Sequence, residues 1–151
     1  MTQTMIHKII NFLQINPNLG TAGQPRRDQF TEIKAAGYEV VINLALNTST
    51  DAILDEQALV TELWMDYIHI PVVWEEPTAR DLERFFEVMT QNQARKIFVH
   101  CALNMRVSAF IFLYRVLHLG VPVEIARQAM LPIWKPNHTW QTFIEGRLNL
   151  R

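Results

Sequence analysis

The chain has 151 residues, of which 49% are hydrophobic and 19% charged, and these values are typical of one ordinary globular domain. The net charge of −1 argues against a dedicated nucleic-acid surface. No apolar run reaches the roughly 18 residues of a membrane span, and the chain start lacks the pattern of a signal peptide. A single cysteine excludes an intramolecular disulfide and suits a reducing compartment. We therefore expect a cytoplasmic protein in which residues 1–151 form one domain.

The N-terminal part is predicted to contain two helices separated by a strand. Apolar residues recur at helical spacing over residues 5–13, with Thr4 as the N-cap. Small and turn-forming residues at 18–25 predict an edge strand that leads into a helix over residues 25–36. Gly37 is expected to end that helix.

The rest of the chain alternates strands with helices. Strands are predicted at residues 39–44, 66–72 and 96–99, and helices at residues 55–64, 79–93, 108–119, 122–130 and 138–150. This alternation implies an α/β fold with a mostly parallel central sheet and helices on both faces. The polar loop at 47–50 follows a strand, at the sheet edge where ligands bind in such folds.

The only cysteine, Cys101, lies between the predicted strand at 96–99 and the helix that follows it. Unpaired N–H groups at a helix start carry partial positive charge, so they bind anions and favour the reactive thiolate of a nearby cysteine. A lone cysteine is also often a small buried hydrophobe. Arg106 adds a planar fork for oxyanions and Ser108 adds a hydroxyl, and both favour Cys101 as a nucleophile facing an oxyanion.

His100, Cys101, a short loop, Arg106 and then Ser108 resemble the signature of the cysteine-dependent protein tyrosine and dual-specificity phosphatases. That signature separates its cysteine and arginine by five residues, whereas four residues separate Cys101 from Arg106. In an ungapped alignment, Val107 falls at the position of the arginine. The loop of this chain is therefore one residue shorter than the family pattern.

The resemblance extends over about residues 19–134. Gly-Gln-Pro at 23–25 and Ile-Asn-Leu at 42–44 are similar to a bacterial subgroup of dual-specificity-phosphatase-like domains, some of which are fused to metallo-β-lactamase-like sulfur dioxygenases. The resemblance implies a phosphotyrosine phosphatase II type of fold that works without a metal or other cofactor. It also implies a phosphorylated substrate or small oxyanion as the partner. The net charge and the lack of a long apolar run argue against nucleic acid and membrane as partners.

The resemblance implies a role for each residue of the motif. Cys101 would form a phosphocysteine intermediate, His100 would orient the loop backbone, and Ser108 would donate to the sulfur. The backbone N–H groups and the guanidinium of one segment would hold the phosphate: Ala102, Leu103, Asn104, Met105, Arg106 and Val107. Asn104 stands where the family usually has glycine, and asparagine tolerates the left-handed conformation better than most residues. Two simpler interpretations stay open. His100 could be a strand-end residue that only bonds to a backbone carbonyl, and Ser108 could be an ordinary hydroxyl at a helix start.

The leaving-group acid of the family is normally an aspartate on a loop after an earlier strand. Residues 74–77 form that loop here, and Glu75 lies nearest to the position of the acid, with Glu76 as its rival. Both carboxylates could instead only stabilise the start of the next helix. Trp74, Trp134 and Lys135 are further candidates for the rim of a pocket.

Three functions are compatible with these residues. The first is a phosphatase that hydrolyses a phosphate monoester through Cys101. The second is a weak or inactive oxyanion-binding module, which the short loop and the missing aspartate favour. The third is sulfur transfer with a persulfide on Cys101, as the fused relatives and rhodanese-type loops suggest. The sequence leaves the substrate and the oligomeric state undetermined.

Overall fold

The computed structural model describes residues 5–150, which contain one five-stranded sheet and six α-helices. The strands are β1 (Leu13–Asn16), β2 (Leu19–Ala22), β3 (Val40–Asn43), β4 (Asp66–His69) and β5 (Ile97–His100). The helices are α1 (Phe30–Ala35), α2 (Glu56–Glu62), α3 (Ala79–Gln91), α4 (Met105–Leu117), α5 (Val123–Met130) and α6 (His138–Leu148). None of these helices is long and apolar enough to cross a membrane.

The sheet has the order β1-β2-β5-β3-β4, with β5 at its centre. β1 is antiparallel to β2, and the other neighbouring strands are parallel. The predicted α/β fold with a mostly parallel sheet is therefore confirmed. The carboxyl ends of the four parallel strands meet at one edge, which is the edge where β5 leads to Cys101.

Both faces of the sheet are covered by helices, as predicted. Successive side chains of a strand point to opposite faces, so Ile97 and Val99 of β5 enter one core while Phe98 enters the other. The larger core contains side chains of α3, α4, α5 and α6. The smaller core contains Phe30 and Ile33 of α1 and Val60 of α2.

Helix α4 lies in the middle of the larger core. Ten of its thirteen residues are buried, which explains why its sequence is apolar on every side rather than along one stripe. It starts at Met105, three residues before the predicted start at residue 108. Arg106 therefore belongs to the first turn of the helix rather than to a free loop.

The predicted helix over residues 5–13 is wrong. The chain forms a single 3₁₀ turn at Ile6–Lys8 and then enters β1, while Thr4 lies outside the described residues. The apolar residues with helical spacing are divided between a turn and a strand and do not form one buried face. Ile9 is the only one of them that is fully buried. The predicted strand within residues 18–25 is present as β2, but because β1 pairs with it on the outer side, the prediction that it lies at the sheet edge is wrong.

The other predicted elements are present, most of them with shorter bounds, and β5 is shifted by one residue to Ile97–His100. β4 ends at His69 rather than at residue 72, and α2 covers Glu56–Glu62 within the predicted 55–64. The helix predicted from residue 25 is a 3₁₀ turn at Arg27–Gln29 followed by α1. Gly37 ends α1 with a φ of 94°, a value that favours glycine.

Candidate active site

Cys101 lies directly after β5, at the carboxyl edge of the parallel strands. Its N–H donates to the Ala22 carbonyl oxygen at 3.4 Å, and its side chain is 1% exposed. The residue lines a cavity of about 130 Å³, and the side chains and backbone around this cavity come from Trp74, Cys101, Ala102, Leu103, Met105 and Arg106. The structure therefore brings the predicted nucleophile, part of the predicted phosphate loop and the predicted arginine into one cavity.

The loop after Cys101 curls through one left-handed residue. Asn104 has a φ of 68° and is the N-cap of α4, so it adopts the left-handed conformation that asparagine tolerates better than most residues. Its Nδ2 atom donates to the Asn11 carbonyl oxygen at 2.9 Å and to Thr21 Oγ1 at 3.1 Å. Within residues 5–150, the following backbone N–H groups donate to no acceptor: those of Ala102, Leu103, Met105, Arg106 and Val107. Such a turn of free donors suits an anion.

The segment after β2 holds the other side of this loop. The Gln24 N–H donates to the Ala102 carbonyl oxygen at 2.9 Å. A Cβ atom on Gly23 would lie only 2.5 Å from that same oxygen, so a residue other than glycine would push the loop away. This close approach gives a physical reason for the Gly-Gln-Pro motif at residues 23–25.

Arg106 is buried, with 5% exposure, and lines the same cavity as Cys101. Nη1 donates to the Val72 carbonyl oxygen at 3.0 Å, and Nη2 lies 3.5 Å from Ser49 Oγ. The guanidinium carbon lies 6.0 Å from the centre of the Trp74 ring, within the range of a cation–π contact. Among the described residues no carboxylate forms an ion pair with Arg106. A buried guanidinium without a counter-ion favours an anionic ligand.

His100 is the last residue of β5 and contacts the backbone carbonyl of Cys101, so both of the roles considered for it stay open. Its Nδ1 atom lies 3.2 Å from the Cys101 carbonyl oxygen. Its Nε2 atom lies 2.6 Å from Oε2 of Glu56, a residue that the sequence analysis missed. Glu56 lies in the first turn of α2, where an acidic residue is expected on the surface, and its burial results only from the way α2 packs on the sheet.

Ser108 is placed near the site but is bonded elsewhere. Its hydroxyl donates to the Met105 carbonyl oxygen at 2.8 Å and accepts from Trp134 Nε1 at 3.0 Å. Ser108 does not line the cavity around Cys101. Its donation to the sulfur therefore stays a prediction.

Glu75 and Glu76 are exposed, and neither lines the cavity. Trp74, the residue before them, does line it, and the Trp74 carbonyl oxygen accepts from Trp140 Nε1 at 2.9 Å. Its ring centre lies 5.2 Å from that of Trp134, which packs behind it rather than on the cavity. Lys135, the third candidate for the rim, lines a different cavity.

Two solved structures illustrate the similarity of the fold. A candidate phosphatase of the DUF442 group from Shewanella putrefaciens CN-32 is 37% identical to this chain, with a TM-score of 0.88 over 96% of this chain and 95% of that one. TpbA of P. aeruginosa has a TM-score of 0.76 over 94% of this chain and 89% of that one, at 15% identity. The low identity to TpbA shows a common fold alone.

Sequence comparison identifies the family. Two Xylella fastidiosa proteins, from strains Temecula1 and 9a5c, are called beta-lactamase hydrolase-like protein and are 27% identical over 103 residues, or 64% of this chain. The chain spans 23% of the length of these curated relatives. Residues 16–137 match the model of the family described as DSP-PTPase phosphatase fused to NAD+ kinase. The chain therefore belongs to this family of dual-specificity and tyrosine phosphatase-like proteins.

Proposed function

We propose that this protein is a cysteine-dependent phosphatase that hydrolyses a phosphate monoester without a metal, through a phosphocysteine intermediate on Cys101. The observation that carries the proposal is the position of Arg106: the residue is buried, has no carboxylate partner among the described residues, and lines the same cavity as Cys101. The short loop is thus compatible with Arg106 and Cys101 lining one cavity. The whole chain, residues 1–151, is proposed to be one phosphatase-like domain.

The first chemical step is an attack by the Cys101 thiolate on phosphorus. A sulfur–phosphorus bond forms, the bond from phosphorus to the ester oxygen breaks, and the leaving alkoxide takes a proton from an acid. The free N–H groups after Cys101 and the donors of Arg106 would stabilise the charge on the three phosphoryl oxygens. In the second step water attacks phosphorus, the sulfur–phosphorus bond breaks with its electron pair going to sulfur, and inorganic phosphate leaves with the protons of the water while the thiolate is restored.

Glu75 is our candidate for the acid, with Glu76 as the alternative. Both residues follow Trp74, which lines the cavity, so their loop adjoins the site where a leaving group would lie. The side chains are exposed in this structure, so the proposed role requires them to turn toward bound substrate. Apo structures often show catalytic groups before they reach their working distance.

A second candidate function is binding without turnover. Within the described residues, no acidic side chain or histidine lines the cavity, so the anion site is better formed than the proton-transfer site. A phosphatase-like module with this cavity would hold phosphate or another oxyanion and release it unchanged.

Hydrolysis of p-nitrophenyl phosphate by the wild type and by Cys101→Ser, across pH 5 to 8, tests the proposal. We expect turnover by the wild type alone, because the hydroxyl of serine is not ionised in this range. Equal rates for the two proteins would contradict the phosphatase proposal. Binding of vanadate or phosphate by a wild type without turnover would favour the binding module.

A further inference from the structure

A buried acidic residue, Glu56, contacts the residue that precedes the nucleophile without lining the cavity. Its side chain is 2% exposed. Oε2 lies 2.6 Å from His100 Nε2, and Oε1 accepts from Gln24 Nε2 at 2.9 Å. A buried carboxylate costs free energy unless it is paired and hydrogen-bonded, so the partners of Glu56 decide its charge and its role.

Both nitrogens of the His100 ring face acceptors. Nε2 faces the Glu56 carboxylate, and Nδ1 lies 3.2 Å from the Cys101 carbonyl oxygen, which has no proton to donate. A neutral imidazole carries only one N–H group, whereas the imidazolium carries two. If Glu56 is ionised, His100 makes both hydrogen bonds only in its protonated form.

The hydrogen bond that Gln24 Nε2 donates to Oε1 favours an ionised Glu56 without any contribution from His100. Burial raises its pKa, but the charge and hydrogen bond of His100, the hydrogen bond from Gln24 and the charge of His69 more than offset this, so the pKa lies below its ordinary value. Burial, followed by the negative charge of Glu56, raises the pKa of Tyr67 on β4 to about 12. The aromatic rings nearest to His100, those of Phe30 and Phe98, carry no charge.

We propose that Glu56 is a positioning residue that acts through His100: it keeps the ring protonated against the backbone of Cys101 and thereby maintains Cys101 as a thiolate. The positive ring of the pair contacts the nucleophile residue, while the carboxylate lies on the far side of the ring, so the pair favours a negative charge on the sulfur. The inference deepens the proposed function, since the thiolate is the form that attacks phosphorus. The proton stays on His100 throughout.

The pH profile of alkylation by iodoacetamide tests this inference, because Cys101 is the only thiol in the chain. In Glu56→Gln the carboxylate that stabilises the second proton on the His100 ring is absent. We therefore expect the midpoint of the profile to rise by about one pH unit, which corresponds to a tenfold loss of thiolate at neutral pH. Glu62→Gln is the matched control, because it makes the same substitution at an exposed position of the same helix. An unchanged midpoint in Glu56→Gln would overturn the proposal.

Two further variants separate the proposed role from a general effect on folding. Glu56→Asp retains the charge and should recover part of the shift. The double variant Glu56→Gln with His100→Asn should have the same midpoint as His100→Asn alone, because Glu56 acts only through the ring. Additive shifts in the double variant would contradict that route.

If Glu56→Gln does not fold, the wild type still gives a decisive measurement. Nitrogen NMR of the imidazole groups at about pH 7.5 should show two N–H groups on His100, and a single one would overturn the proposal. None of these readouts requires turnover. Failure of the wild type to hydrolyse p-nitrophenyl phosphate would therefore count against the proposed function and leave this inference standing.

Discussion

Arg106 Nη1 donates a hydrogen bond of 3.0 Å to the Val72 carbonyl oxygen, which anchors the guanidinium in the wall of the cavity. An arginine has five N–H donors, and among residues 5–150 the hydrogen bonds to Val72 and Ser49 use two of them. The remaining donors are available to an oxyanion. The loop that is one residue short is therefore compatible with an arginine beside Cys101, because Arg106 extends from the first turn of α4.

We expect Arg106→Ala to weaken vanadate or phosphate binding by about tenfold or more, because the variant removes the charge and the fork that hold the oxyanion. Isothermal titration of the folded variant measures this loss. Arg115→Ala removes an arginine from the same helix but not from the cavity, and it should bind vanadate as the wild type does. Unchanged affinity in Arg106→Ala would show that the guanidinium does not contact the anion.

We expect Glu75→Gln to lower the turnover of phenyl phosphate more than that of p-nitrophenyl phosphate. Phenolate is the poorer leaving group and depends more on a proton donor in the transition state. Steady-state rates with the two substrates measure the difference. Glu76→Gln is the matched neighbour, and a larger effect in Glu76→Gln would transfer the acid role to that residue.

Asn104→Ala should be less stable than Asn104→Gly by about 1 kcal/mol in free energy of unfolding. Both variants lose the hydrogen bonds of the amide to Asn11 and Thr21, so their difference reports the left-handed backbone alone. Urea denaturation of the two proteins measures it. Equal stabilities would mean that the loop can relax out of the left-handed conformation without cost.

The stability of the fold should depend on pH through Glu56. Its pKa in the folded protein lies below the ordinary value of 4.5, so its contribution to stability is present above that pH and is lost as the pH falls through the folded value. Urea midpoints measured from pH 7 down to pH 3 should therefore fall less steeply in Glu56→Gln than in the wild type. Glu62→Gln should retain the slope of the wild type, and parallel slopes in all three proteins would contradict the prediction.

Local patterns predicted the centre of the molecule well. The apolar runs of β5 and α4 and the glycine at residue 37 each identify an element from its own residues. Residues 5–13 misled the prediction, because a few apolar residues in a turn and a strand also fit a helical spacing. The pairing of β1 with β2 depends on contacts between strands, which the spacing of apolar residues along the chain does not indicate.

Some residues of the candidate site could likewise be predicted from local sequence, and others could not. Cys101, Arg106 and His100 are close in sequence, so a single motif identifies all three as candidates. Glu56 lies 44 residues before His100, at a helix start where acidic residues are common, and only the packing of α2 shows that it is buried. The exposure of Glu75 depends on the loop conformation, which the motif does not encode.

The reciprocal hydrogen bonds between Asn11 and the loop have a practical consequence. Asn11 donates to the Leu103 carbonyl oxygen at 2.9 Å and accepts from Asn104 at 2.9 Å, yet it lies before residue 16, where the family match begins. Trp140, whose indole holds the Trp74 carbonyl, lies after residue 137, where the match ends. A shortened chain limited to the matched residues would keep the nucleophile but lose the Asn11 support of its loop and the Trp140 support of the Trp74 segment.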